Sequence, residues 1–154
     1  MGFRIRGLAA ETFAGLFSLS DESLAARGAV RTIADQAPGF PCRVSLTDAA
    51  VGDEVILVHH EHHAVASPFR SGYAIYVREG ERMFDAVDQV PAMLRSRLLS
   101  LRAFDVHGML QDADVVDGGE VEMLIERLFA DPRVAYIHIH FAKPGCYAAS
   151  VERA

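Results

Sequence analysis

The sequence predicts an α+β protein, a single globular domain over residues 1–154. Its frame is a mixed, mostly antiparallel sheet with a C-terminal β-hairpin, and three or four helices pack on it. Three observations carry that expectation. Residues 134–141 alternate, with Val134, Tyr136, His138 and His140 on one face and Ala135, Ile137, Ile139 and Phe141 on the other. Val121, Leu124, Ile125, Leu128 and Phe129 recur at the spacing of one helix face. Short β-rich runs such as Val55-Ile-Leu-Val58 and Tyr73-Ala-Ile-Tyr-Val77 interleave with helical segments, without internal repeats or linkers.

Taken in order, residues 3–8 read as a strand, and 11–19 place Phe13, Leu16 and Phe17 at helical spacing. Ser20 is an N-cap, with Asp21 and Glu22 in the first turn of a short helix that stops at Gly28. Residues 29–33 form the next strand, and Ala37-Pro-Gly-Phe-Pro41 is a turn that delivers 42–46 as an extended piece. The strand over 54–59 empties into His59-His-Glu-His-His63, read as a polar loop end. After a loop at Ser67-Pro68, 73–77 resume as a strand and 78–82 are a polar turn.

Pro91 opens a helix with Leu94 and Leu98 on one side, and 99–104 either extend it or form a strand. Asp112-Ala-Asp114-Val-Val-Asp117-Gly118 reads as an acidic loop capping a helix over 117–130, with Asp117 and Glu120 as a capping box and Pro132 beyond its end. The final strand meets the Lys143-Pro-Gly-Cys146 turn and doubles back. In the simplest register Tyr147, Ala149 and Val151 share the histidine face, with Ala149 opposite His140.

The chain is 51% apolar and 23% charged, the balance of a soluble globular protein. At 154 residues it buries roughly 70% of its unfolded surface, enough for a core without staples. A net charge of −6 repels the phosphate backbone, so no nucleic-acid partner is expected. Lys143 is the only lysine among 15 basic residues. The N-terminus has no apolar leader, no run approaches a membrane span, and the two cysteines form no C-x-x-C pair. A cytoplasmic protein without membrane contact is the expectation, and oligomeric state is left open.

Several familiar motifs fail on spacing. H-E-x-x-H from His60 needs a histidine where Ala64 stands, and the His59/His63 pair puts its glutamate one place late. The acidic stretch from Asp112 has Met123 where a calcium loop needs its twelfth-position glutamate. His138-x-His140 resembles the histidine-triad nucleotide hydrolases, but Tyr136 or Ala142 occupies the place of a third histidine.

What remains is a cluster of capable side chains at the C-terminal hairpin. His138, His140, Cys146, Tyr136 and Tyr147 are the candidate acid/base, nucleophilic or catalytic groups. Cys42, Arg43, His59 and Lys143 are candidates for the opposite wall of a ligand pocket. On one strand face His138 and His140 also have the geometry of two metal ligands, so zinc or iron there is one expectation and no metal the other. The leading functional expectation is a small enzyme, or enzyme-like binder, acting on a polar small molecule. Its competitor is a non-catalytic interaction module that uses an exposed strand edge or face.

The strings Gly39-Phe-Pro-Cys-Arg-Val-Ser-Leu46, Leu98-Leu-Ser-Leu-Arg-Ala-Phe-Asp105, Ala130-Asp-Pro-Arg-Val-Ala-Tyr-Ile-His138 and Gly145-Cys-Tyr-Ala-Ala149 make the chain resemble the DUF1203 family, a bacterial domain of unknown function, over nearly its whole length. The resemblance implies a small, stand-alone, soluble bacterial protein. It implies no reaction, ligand or catalytic residue.

Overall fold

The strands divide between two sheets. The computed structural model describes residues 2–154, and Met1 lies outside them. The first sheet runs β7 (Asp85–Val87), β1 (Phe3–Arg6), β11 (Tyr147–Arg153), β10 (Tyr136–Phe141), β8 (Leu98–Phe104) and β9 (Leu110–Asp117), with every neighbouring pair antiparallel. The second runs β2 (Val30–Ile33), β5 (Glu54–His63), β6 (Ser71–Val77), β3 (Pro41–Cys42) and β4 (Thr47–Asp48), where only the β3–β6 contact is parallel. The α+β class, the mostly antiparallel pairing and the C-terminal hairpin are all present.

Three α-helices accompany the sheets among the described residues: α1 (Asp21–Ala26), α2 (Ala92–Arg95) and α3 (Val121–Phe129). Ser20 caps α1, its hydroxyl accepting from the Ser23 amide at 3.1 Å, and Gly28 follows the helix at φ +71°. Helix α3 buries the predicted stripe of Val121, Leu124, Ile125, Leu128 and Phe129. This stripe meets Leu99, Leu101, Ile137, Ile139 and Val151 of the first sheet in the largest core. Arg153, at the end of β11, donates to the Phe129 and Val134 carbonyls and so ties the C-terminus of α3 to the hairpin. A second core lies between Leu24, Phe13 and the apolar face of β5 and β6, and a third gathers Ala34, Cys42, Ala49 and Val55. No helix of the described residues is long and apolar enough to cross a membrane.

Several local expectations are corrected. Residues 11–19 form two 3₁₀ turns (Ala10–Thr12 and Ala14–Leu16) rather than one helix, consistent with the weak helix formers Thr12, Phe13 and Gly15. Helix α2 lasts one turn, and Leu98 begins β8, where Leu99, Leu101 and Ala103 alternate inward. The acidic stretch from Asp112 is no loop. It is edge strand β9, and its aspartates line an edge that charge keeps from pairing further. Only Asp117 caps, accepting from the Gly119 amide at 3.0 Å, and Glu120 makes no capping bond. Of residues 42–46 only Cys42 is extended; the chain then turns through Leu46 at φ +55°.

That turn positions Arg43 for the site. The Leu8 amide donates to the Arg43 carbonyl at 2.8 Å, and at Gly7 the chain passes so close to Val44 that any Cβ would collide with its carbonyl. The second sheet ends at β2 on one side and β4 on the other, and Val30 and Ile33 of β2 are exposed.

Candidate functional site

The histidine-rich stretch continues β5 to His63 instead of ending in a loop, because its backbone keeps pairing with β6. His60 pairs with Tyr73 and His63 with Ser71, so β5 carries one extra residue there. Such a bulge breaks the strict alternation of side chains. Consecutive His62 and His63 therefore both reach the histidine face of β10.

The result is a cluster of imidazoles and phenols between the two sheets. The His62 ring stacks on Tyr147 with centroids 5.0 Å apart and meets His140 edge-on at 5.0 Å and His138 at 6.1 Å. His63 meets His138 at 5.1 Å and packs on Phe104 at 4.1 Å. Its Nδ1 faces the Phe69 carbonyl at 2.8 Å and must donate there, which leaves Nε2 to accept from the Tyr136 hydroxyl at 2.6 Å. His140 Nδ1 likewise donates to the Gly145 carbonyl at 3.0 Å, holding the imidazole to the hairpin turn. Among the described residues, two buried nitrogens of the cluster have no partner: Nδ1 of His138, which is more than nine-tenths buried, and Nδ1 of His62.

Burial sets the electrostatics. It pushes His138 down from an ordinary value near 6.5 to about 2, His140 to about 3 and His62 to about 4, and neighbouring histidines and Arg102 add to the effect. Burial raises the Tyr136 and Tyr147 phenols and lowers Arg102, which lies opposite His138 on β8. At neutral pH the three shifted imidazoles are uncharged. They can accept, donate or ligate a metal, but among the described residues no three His, Cys, Asp or Glu side chains are arranged to hold an ion.

Arg43, Cys146 and Lys143 belong to a different place. They line a cleft of about 470 Å³ at the tip of the hairpin, together with Pro41, Tyr76, Arg97, Leu98 and Phe141. The Arg43 side chain is fully buried: Nε donates to the Tyr147 carbonyl at 2.7 Å, one Nη donates to the Pro41 carbonyl, and the other lies 2.9 Å from the Cys146 sulfur. It forms no ion pair among the described residues. Burial pulls its basicity down, and Cys146 across the hydrogen bond opposes that. The guanidinium carbons of Arg43 and Arg97 stand 4.9 and 5.0 Å from the Phe141 centroid, and Arg97 pairs with Asp48 at 2.6 Å.

The hairpin register differs from the simplest one. Gly145 takes φ +83°, its amide reaches back to the Phe141 carbonyl at 2.8 Å, and a bulge after Ile139 sets His140 against Tyr147. Ala149 lies opposite Ile139, and with Val151 it joins the core face; Tyr147 stays with the histidines as expected.

Of the nine residues singled out from sequence, Tyr136, His138, His140 and Tyr147 gather in the cluster, and Arg43, Lys143 and Cys146 in the cleft. Cys42 joins neither. It is buried in the small third core with its thiol pushed up to about 12 by burial. His59 is exposed on the far side of β5 and lines neither site. His63 was missed, while the sequence offered His62 only as one possible further metal ligand and Arg97 and Arg102 only as an anion clamp weighed against a solvated helix face. For both histidines the signal was the unbroken β-register through His59–His63, and Arg97 reaches the cleft from a distant segment.

No curated protein and no solved structure matches the chain. Residues 39–153, which contain every element of the cluster and the cleft, match the family model described as protein of unknown function (DUF1203), and the chain belongs to that family.

Proposed function

We propose that the protein is an enzyme-like binder of a small anionic molecule, and that the cleft at the C-terminal hairpin is its site. One observation carries the reading. Arg43 is a fully buried guanidinium with no carboxylate partner among the described residues, held by two neutral carbonyls and the Cys146 sulfur at the wall of an open cleft. Withdrawing such a charge from water costs several kcal/mol unless an opposite charge compensates it. An anionic ligand supplies that charge. Lys143 at the rim adds a second cation, and Arg97, although paired with Asp48, a third. Phe141, Leu98, Pro41 and Tyr76 offer apolar walls to the rest of the ligand, so the site suits a carboxylate or phosphate on a compact carbon frame.

Thermal-shift screening of small carboxylates and phosphates, beside Lys143→Ala and Arg97→Gln proteins, tests this. Ligands that raise the wild-type melting temperature and lose most of that effect in both variants support the site. Equal shifts in all three proteins, or none in any, overturn it.

A second reading, a zinc or iron ion taken up by the imidazole cluster, is favoured by the unpartnered Nδ1 atoms of His62 and His138. About one equivalent of metal in protein purified without a histidine tag, lost in the His138→Ala, His140→Ala double variant, would support it. Equal metal content in the two proteins would remove it.

A further inference from the structure

We infer that Cys146 is the nucleophile of the cleft and that the molecules it takes are small carboxylic acids bearing a leaving group on the carbon next to the carboxylate. The inference rests on the anion-binding reading above and names the chemistry of that site.

Cys42 and Cys146 are both free of disulfides, and the fold treats them differently. Cys42 is wholly buried, with its sulfur turned to the Phe40 carbonyl at 3.5 Å, and it does not line the cleft. Cys146 lines the cleft, and an Arg43 nitrogen stands 2.9 Å from its sulfur. That buried guanidinium makes no ion pair with a carboxylate among the described residues. A carboxylate drawn to it is therefore drawn to the same few ångströms of space as the sulfur, and its α-carbon is the atom next in line. Lys143 at the rim reinforces the attraction for an anionic reagent and does nothing for a neutral one.

The step balances without a further reactant. The thiol proton leaves to water through the cleft mouth, and a sulfur electron pair forms a bond to the α-carbon. The bond from that carbon to the leaving group breaks, its electron pair departing with the group as an anion. The carboxylate is unchanged, and the product is a carboxymethyl-type thioether on Cys146.

Iodoacetate and iodoacetamide make the test, since they share the leaving group and differ in the carboxylate. Alkylation of each cysteine is followed by mass spectrometry, with glutathione as the reference thiol. The ratio of iodoacetate to iodoacetamide rates at Cys146 should exceed that of glutathione by about tenfold, the scale of electrostatic steering. The ratio of iodoacetate to iodoacetamide rates should fall in Lys143→Ala and Arg97→Gln, and Cys42 should stay unmodified. A ratio equal to that of glutathione, or variants that slow both reagents alike, overturns the inference. Acetate as a competitor separates the two layers. Protection of Cys146 by acetate without an iodoacetate preference rejects the nucleophile and keeps the anion site; no protection and no preference reject both.

Discussion

The imidazole cluster and the cationic cleft hang on the same hairpin, joined by the hydrogen bond from His140 to the Gly145 carbonyl, yet they answer different physical demands. In the cluster, titratable rings are packed between two sheets, and burial has stripped His62, His138 and His140 of charge. In the cleft, arginines that cannot shed charge at ordinary pH surround open space. The first arrangement stores pH sensitivity in the fold. The second keeps a constant positive potential for a ligand. One hairpin thus contributes to a stability element and to a recognition element a few residues apart.

The sharpest way to break this contrast is at its most buried charge. Arg43→Met should cost about 3 kcal/mol in chemical denaturation, because it leaves the Pro41 and Tyr147 carbonyls unpaired in the interior. A cost below about 1 kcal/mol would mean that water already compensates those groups.

The cluster predicts an acid-labile fold. His138 and His140 have folded values below their unfolded value near 6.5, so the unfolded chain binds protons first as pH falls. Their contribution is complete above pH 6.5 and shrinks on the way down. By pH 5 the loss should be about 2 kcal/mol for each, from about 1.4 kcal/mol per pH unit. Denaturation midpoints between pH 7.5 and 5 check this, and His138→Phe should flatten the slope. A slope unchanged by that substitution would place the acid sensitivity elsewhere.

Smaller effects belong to the cleft. Arg97→Gln should lose about 1 kcal/mol of stability with its half-buried Asp48 pair, and weaken anion binding severalfold, by calorimetry. Lys143 is exposed and makes no ion pair among the described residues. Lys143→Ala should therefore leave stability within about 0.5 kcal/mol and reduce anion affinity and its salt dependence. A stability loss as large as that of Arg97→Gln would make Lys143 structural.

How much of this the sequence disclosed follows from where the information lies. The alternation of β10 and the stripe of α3 are local periodicities, and both the apolar face and the histidine face were legible from them. Bulges are not local in that sense. One extra residue in β5 brought His62 and His63 together on the β10 face, and another in the hairpin moved Ala149 and Val151 to the core. Polar composition made His59–His63 look like loop and Asp112–Asp117 like a cap, whereas partner strands decided both. The Arg43–Cys146 contact spans 103 positions and two sheets, so each residue was legible as a candidate and their meeting was not.

The most direct test of the central claim is an NMR titration of the wild-type protein with acetate at pH 7.5, following backbone amides and histidine ring signals together. Binding in the cleft predicts saturable shifts at Gly39, Arg43, Arg97 and the Phe141–Cys146 turn, with smaller changes at the His62 and His138 rings. Saturable shifts centred on the imidazole cluster, or none at the hairpin tip, would contradict it.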